Sequence, residues 1–194
     1  MRDISLFLCY NGVMKVCFIG HRTITNAEQL KIRLTETVER LIADGADTFL
    51  FGSRSDFDYI CWSVVTELRE KFSNVKRIKY NAPHEMAFTS KAERENYEML
   101  FLKFAHKEAH YTDYEEVIDC EKSFSAGKNA YIMRNQEMID NSDVCVFYFD
   151  ENYLPPRRQQ AKRHVVDYQP QSGTAIAFAY ATQKRKKIVN IFGN

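Results

Sequence analysis

The sequence lacks the cysteine patterns that mark disulfide-rich and zinc-binding proteins. Its 194 residues include five cysteines, which are dispersed, with no CxxC pair and no cysteine–histidine cluster at metal-ligand spacing. An odd, dispersed set of thiols argues against a disulfide framework and is typical of a reducing compartment. We therefore expect a cytoplasmic protein with no metal site and no certain cofactor, in which Cys17, Cys61 and Cys145 are buried thiols.

The chain also has almost no excess of charge of either sign. Lys and Arg number 27 against 26 Asp and Glu, so the formal net charge is +1. A charge this small creates no overall field that would attract nucleic acid or a membrane surface. No run reaches the roughly 18 apolar residues that a membrane-spanning helix needs, so we expect no membrane partner.

Residues 1–13 stand apart from the rest of the chain. They are moderately apolar, but the run is short for a signal peptide and has no small-residue cleavage site. The strong pattern begins at Met14, which we expect to be the natural start, with residues 1–13 as an N-terminal extension. The remaining residues, 14–194, contain no linker or internal repeat and are expected to form a single domain.

What the chain does contain is a regular alternation of short apolar runs and amphipathic segments. Strands are predicted at 15–20, 48–52, 75–80, 115–118, 143–149 and 187–191. Helices are predicted at 25–44, 56–72, 92–107, 128–141 and from 173, the first opened by a capping box at Thr25. This order predicts an α/β fold with a Rossmann-like, open, mostly parallel sheet flanked by helices on both faces. The alternating strand 75–80 is expected near a sheet edge.

A first polar motif, Gly20-His21-Arg22, follows directly on the first predicted strand. Ligands of open α/β sheets bind beyond the carboxyl ends of the strands. Arg22 could therefore hold a phosphate or carboxylate, and His21 could donate to a phosphate or a ribose. The alternative is that the Arg22 side chain is merely exposed to solvent in the loop and that the His21 side chain only packs against its neighbours.

A second motif follows the next strand and enters a helix. Gly52 permits a tight turn, and Ser53 and Arg54 are candidate ligand contacts. Asp56 or Asp58 could bind ribose. Their alternative roles are structural, because Asp56 could cap the helix and Asp58 is favourable in a first helical turn.

Two further candidate segments lie later in the chain. Arg134 and Asn135 fall within one helical turn and can approach one site, although a solvated charged face is the usual explanation. Glu137, in the same helix, is a further carboxylate that could take part in catalysis. The turn at 172–174, Ser-Gly-Thr, opens a helix after a buried strand and could bind phosphate through backbone N–H groups. Its alternative role is a plain N-cap.

The insertion at about 151–170 is polar and basic. It could clamp phosphates, contact nucleic acid or form an oligomer arm, or it could be a solvated loop, and it lacks the aromatics of a single-strand platform. Its candidate contacts to nucleic acid are Arg157, Arg158, Lys162 and Arg163. Candidate residues for a homo-oligomer interface are Tyr97, Phe101 and Phe104.

Four segments taken in order, 18–22, 52–58, 134–143 and 172–175, resemble the SLOG superfamily of Rossmann-like nucleotide-binding proteins. The resemblance covers 14–191 and is closest to the YpsA-like branch, whose members are largely uncharacterised bacterial proteins. The superfamily includes a DNA-processing protein and cytokinin-activating phosphoribohydrolases, and its members share a pocket for a nucleotide-like ligand. The resemblance implies binding roles for Gly20, His21, Arg22, Gly52, Ser53, Arg134, Asn135, Ser172, Gly173 and Thr174.

The chain departs from the enzymes that it resembles at the position of their catalytic glutamate. Nucleoside deoxyribosyltransferases carry a nucleophilic glutamate three residues after the threonine of a similar turn, where this chain has Ala177. Alanine can neither attack an anomeric carbon nor stabilise an oxocarbenium ion. We therefore expect a protein that binds a small nucleotide-derived ligand without the hydrolase activity of the phosphoribohydrolases. The alternatives are an N-glycosidase using Asp56, Asp58 or Glu137, and a nucleic-acid-binding protein using the basic insertion.

Overall fold

The computed structural model describes residues 13–52, 55–82, 113–123, 126, 129–155 and 171–193. The strands are β1 Met14–Gly20, β2 Ala46–Phe51, β3 Lys76–Asn81, β4 Glu116–Asp119, β5 Val144–Tyr148 and β6 Lys187–Asn190. The helices are α1 Ala27–Ala43, α2 Asp56–Leu68, α3 Ala130–Asp140 and α4 Gly173–Gln183, with a 3-10 turn at Glu121–Ser123. The predicted helix 92–107 and residues 156–170 lie outside the described residues.

The six strands form one parallel sheet in the order β4-β3-β2-β1-β5-β6. The chain moves from β1 towards β4 on one side and from β5 to β6 on the other, so the strand order reverses between β1 and β5. A parallel sheet of this kind has its ligand crevice outside the carboxyl ends at that point. The predicted α/β class is confirmed, and β3 lies one strand in from the edge strand β4.

Helices cover both faces of the sheet and create two cores. On one face, α1 and α2 pack against side chains such as Phe18 and Phe49. On the other face, α3 and α4 pack against Cys17, Ile19 and Phe147. Because successive side chains of a strand point to opposite faces, a strand covered on both sides is apolar throughout, as the buried centre of β1 shows.

Two predicted helix caps are wrong by one residue. Asn26, rather than Thr25, is the N-cap of α1, because its side chain accepts from the backbone N–H of Gln29 at 3.4 Å and donates to the Gln29 side chain at 2.8 Å. Ser55, rather than Asp56, caps α2 and accepts from the backbone N–H of Asp58 at 3.1 Å. Asp56 is the first helical residue, a position where the helix dipole stabilises a carboxylate.

The described cysteines are all free and buried, which confirms the prediction for Cys17, Cys61 and Cys145 and adds Cys120. Burial raises the pKa of the Cys61 thiol well above its ordinary value. Among the described residues, no group of three or more His, Cys, Asp or Glu could hold a metal ion. Within the same residues, no helix is long and apolar enough to cross a membrane.

Candidate functional site

His21 connects the exits of β1 and β5, the two strands between which the strand order reverses. Its backbone N–H donates to the carbonyl of Tyr148 at 3.3 Å. Its ring Nε2 accepts from the backbone N–H of Asp150 at 3.0 Å. The two loops that border the expected crevice are therefore held together by one residue.

The His21 ring is buried among aromatic side chains. Its centroid lies 4.3 Å from that of Tyr153 and 6.1 Å from that of Phe149, and 6% of the residue is exposed. Burial lowers the pKa of His21, and the nearby charge of Asp150 opposes this change only in part. The packing alternative for His21 is thus borne out in part, since the residue both packs and bridges two strand exits.

The exit of β1 is also joined to the start of α2. The carbonyl of Arg22 accepts from the backbone N–H of Asp56 at 2.9 Å, while the Arg22 residue is exposed. This contact brings the first two sequence motifs together at one edge of the sheet. Ser53 and Arg54, which belong to the second motif, lie outside the described residues.

Two glycines at strand ends permit close packing. A Cβ at Gly20 would lie 2.3 Å from Cδ1 of Phe57, and one at Gly52 would lie 2.8 Å from Nε of Arg134. Both distances are shorter than a carbon atom allows, so side chains in these places would displace their neighbours. Gly52 therefore lets the Arg134 side chain reach the carboxyl end of β2.

Arg134 is buried, with 2% of the residue exposed. Its Nη2 donates to Oδ1 of Asn135 at 3.1 Å, and its guanidinium carbon lies 5.1 Å from the centre of the Tyr131 ring. A solvated charged face is therefore wrong for Arg134. The structure brings Arg134 and Asn135 together next to the end of β2, as the helical spacing predicts.

The Ser-Gly-Thr turn begins α4. Ser172 is the N-cap and accepts from the backbone N–H of Ala175 at 3.0 Å, so the N-cap alternative is correct for its side chain. A Cβ at Gly173 would meet no atom of the described residues within 4 Å, which leaves space beside the turn in this part of the structure. Gly173 and Thr174 contribute N–H groups of the first turn, which a helix leaves without an intrahelical acceptor.

The start of α4 is fixed against the end of β5. The ring of Phe178 stacks on that of Phe149 at 4.6 Å and meets that of Phe147 edge-on at 5.1 Å. Asn190 supports the same strand end, because its side chain accepts from the N–H of Phe149 at 3.1 Å and donates to its carbonyl at 2.9 Å. The helix N-terminus is thus held at the edge where His21 lies.

The model of the YspA SLOG family, named YpsA, matches residues 19–183. The chain belongs to the SLOG family. A search of curated proteins gives no match. The matched range includes the exits of β1, β2 and β5 and the start of α4, so the predicted membership is confirmed across the whole edge described above.

The carboxylates of this SLOG protein occupy packed positions. Asp58 is 2% exposed in the first turn of α2. An oxygen of Glu137 accepts from Sγ of Cys120 at 3.0 Å, and burial together with this carboxylate raises the pKa of Cys120 to about 11. Ala177, the position at which the sequence analysis looks for a catalytic glutamate, is 2% exposed and lies in the core between α4 and the sheet.

Three residues of this edge were not singled out from the sequence. They are Asp150, Tyr153 and Asn190, which contact His21 or the end of β5. Asp150 had a usable signal, because it directly follows a buried strand. Asn190 had none, since it continues an apolar run and its partner Phe149 is 41 residues away.

Proposed function

We propose that the chain binds a nucleotide or a nucleotide-derived metabolite in the crevice at the carboxyl ends of β1, β2 and β5. One observation carries the proposal. His21 joins the exits of β1 and β5 where the strand order reverses, beside the start of α4. Membership of the SLOG family supports the same location.

The phosphate of the ligand would lie between a cation and a helix N-terminus. Arg22 is exposed next to His21 and offers a guanidinium that can bind two phosphate oxygens at once. The N–H groups of Gly173 and Thr174 favour the same kind of anion, and the space beside Gly173 admits it.

The rest of the ligand would extend towards β2. Arg134 and Asn135 would form the wall next to Gly52, where the guanidinium is already held by neighbouring side chains. Ser53, Arg54 and Asp56 would contact ribose or base, of which Asp56 is placed by its hydrogen bond to Arg22. Ser172 would act through the cap that it provides.

We further propose that the site binds without cleaving an N-glycosidic bond. That reaction needs a carboxylate at the anomeric carbon, and the position that carries it in enzymatic relatives is the buried methyl group of Ala177. The carboxylate of Glu137 accepts a hydrogen bond from the Cys120 thiol, and Asp58 is buried in α2.

The basic insertion and the aromatic residues of the predicted oligomer interface lie outside the described residues. Nucleic-acid binding and homo-oligomer formation therefore stay predictions.

The binding proposal is tested by titrating the protein with AMP, ADP, NAD, ADP-ribose and cyclic AMP, using thermal shift and calorimetry. A compound at about 100 times its Kd should stabilise the wild type by about 2.7 kcal/mol. Arg22→Ala should weaken binding about tenfold or more, since a charged hydrogen bond is worth about 1.5–3 kcal/mol. Arg40→Ala, which removes an equally exposed arginine from the far end of α1, is the matched control.

Two results would contradict the proposal. One is that none of the five compounds stabilises the wild type, and the other is that Arg22→Ala and Arg40→Ala bind equally well. Chromatography of the same mixtures tests the absence of cleavage, because no free base should appear. Base release that is lost in Asp56→Ala, Asp58→Ala or Glu137→Ala would establish the enzymatic alternative instead.

A further inference from the structure

The hydrogen bond of the His21 ring determines which of its two nitrogens carries the proton. Nε2 accepts from the backbone N–H of Asp150. A backbone N–H can only donate, so Nε2 carries no proton in this arrangement. The ring proton of a neutral imidazole then lies on Nδ1, and burial, which lowers the pKa of His21, favours this neutral form.

The Nδ1–H group is available to a ligand. Within the part of the chain that the structure describes, no protein group hydrogen-bonds to Nδ1 of His21. The residue keeps 6% of its surface exposed at the edge where the expected crevice lies. It is a donor held in a fixed direction, because the ring is anchored at Nε2 and packed against Tyr153.

The contact with Asp150 limits what this donor can bind. An anion placed against the ring would favour the protonated imidazole. Protonation would put a second N–H on Nε2, facing the N–H of Asp150, and the contact that joins β1 and β5 would be lost. An uncharged acceptor leaves that contact intact, and the exposed cation at this edge, Arg22, is the group suited to phosphate.

We propose that His21 is a specificity residue, whose Nδ1–H donates to an uncharged oxygen of the ligand, a sugar hydroxyl in the nucleotide class. This inference rests on the proposed nucleotide-binding function. It assigns the sugar to the junction of β1 and β5 and the phosphate to the neighbouring cation and helix start. A ribose ligand is then distinguished from its deoxy form by a single side chain.

Two substitutions distinguish the acceptor role of Nε2 from the donor role of Nδ1. His21→Gln places an amide oxygen near the Nε2 position, so it keeps the acceptor for Asp150 and loses the donor. His21→Asn places an amide N–H near the Nδ1 position, so it keeps the donor and loses the contact with Asp150. His21→Gln should therefore keep the thermal stability of the wild type, and His21→Asn should lower it.

The test measures AMP, 2′-deoxy-AMP and 3′-deoxy-AMP on wild type and on both variants. AMP is the fragment shared by the five compounds named above. We expect the wild type to prefer AMP over one deoxy form by about tenfold, the worth of one hydrogen bond. His21→Gln should lose this preference, and His21→Asn should keep it.

Each failure has its own meaning. If neither AMP nor any of the other four compounds binds the wild type at millimolar concentration, the proposed function is overturned, and this inference with it. A preference that survives in His21→Gln, or an equal loss for all three compounds, overturns the role of His21 alone. Nitrogen NMR of the ligand-free protein gives an independent check, because a proton found on Nε2 instead of Nδ1 would also overturn it.

Discussion

The two edges of the sheet use polar side chains in different ways. At the amino edge, Ser142 donates to the carbonyl of Ile139 at 3.1 Å, and Nζ of Lys186 donates to the carbonyls of Asp140 and Ser142 at 3.0 and 2.6 Å. These hydrogen bonds satisfy backbone carbonyls at the C-terminal end of α3. At the carboxyl edge, the contacts of His21 join the exits of two strands, β1 and β5.

One sequence motif contributes to both edges. The segment 134–143 covers most of α3, whose 11 residues extend about 16 Å at 1.5 Å per residue. Its first residue, Arg134, lies beside Gly52 at the carboxyl edge. Its last, Asp143, accepts from the backbone N–H of Lys15 at 2.8 Å at the start of β1.

The difference teaches how such a motif should be interpreted. Residues that recur together in a family pattern need not share a role, because a helix carries them from one edge to the other. We expect Arg134 and Asn135 to affect ligand binding. Ser142 and Asp143 should affect stability only, since their partners are groups of the protein.

The largest effect is expected at Ala177, which tests whether this position belongs to the site or to the core. Ala177→Glu places a carboxylate in an apolar core, and we expect a loss of about 3–5 kcal/mol in the free energy of unfolding. Ala179→Glu is the matched control, because the same change is made two residues along α4 at an exposed position. Urea unfolding measures both variants. A stable Ala177→Glu protein that releases base would place Ala177 at the site.

A smaller effect is expected at the amino edge. Lys186→Met removes a cation that binds two carbonyls at the end of α3, and we expect a loss of about 1–2 kcal/mol, because the group is partly exposed. Nucleotide affinity should not change. Lys187→Met is the control, since Lys187 is exposed in the adjacent position. Reduced nucleotide affinity in Lys186→Met, measured by calorimetry, would contradict the division between the edges.

The smallest effect is expected on acidification, which tests the carboxyl edge through His21. Burial lowers the pKa of His21 in the folded state below its unfolded value of about 6.5. Between these two values the unfolded chain binds more protons, so stability is present above about pH 6.5 and falls as the pH decreases. Urea unfolding between about pH 7.5 and 5 should show this fall in the wild type.

His21→Gln is the control for that measurement, because it cannot take up the proton. A fall of equal size in the variant would contradict the assignment to His21.

At lower pH a second loss of stability is expected from Glu115. Although burial opposes it, the hydrogen bonds from Arg77 hold the pKa of Glu115 below its ordinary value, so the stability they give is lost when the carboxylate is protonated.

The sheet could be predicted from sequence because its signals are local. Each buried strand is an apolar run covered on both faces, and all six described strands have bounds within two residues of the predicted ones. The same holds for Arg134 and Asn135, which one helical turn places together. The caps of α1 and α2 were wrong by one residue, because neighbouring Thr25 and Asn26, or Ser55 and Asp56, are all competent caps.

Contacts between distant segments could not be predicted. Nε2 of His21 and the N–H of Asp150 are 129 residues apart, and no residue pattern encodes that meeting. The fully buried Arg77 is another example. It binds both oxygens of Glu115, 38 residues away, and lies 5.6 Å from the centre of the Trp62 ring, so an apparently ordinary surface charge anchors β3 to the segment before β4.

The most direct test of the central claim is nitrogen–proton NMR of the labelled protein, titrated with whichever of AMP, ADP, NAD, ADP-ribose and cyclic AMP binds tightest. We predict shifts of the backbone amides of His21, Gly52 and Gly173 at the carboxyl edge, and unchanged amides of Gly45 and Ser142 at the amino edge. Shifts concentrated at Gly45 and Ser142, or none with any of the five compounds, would contradict the account.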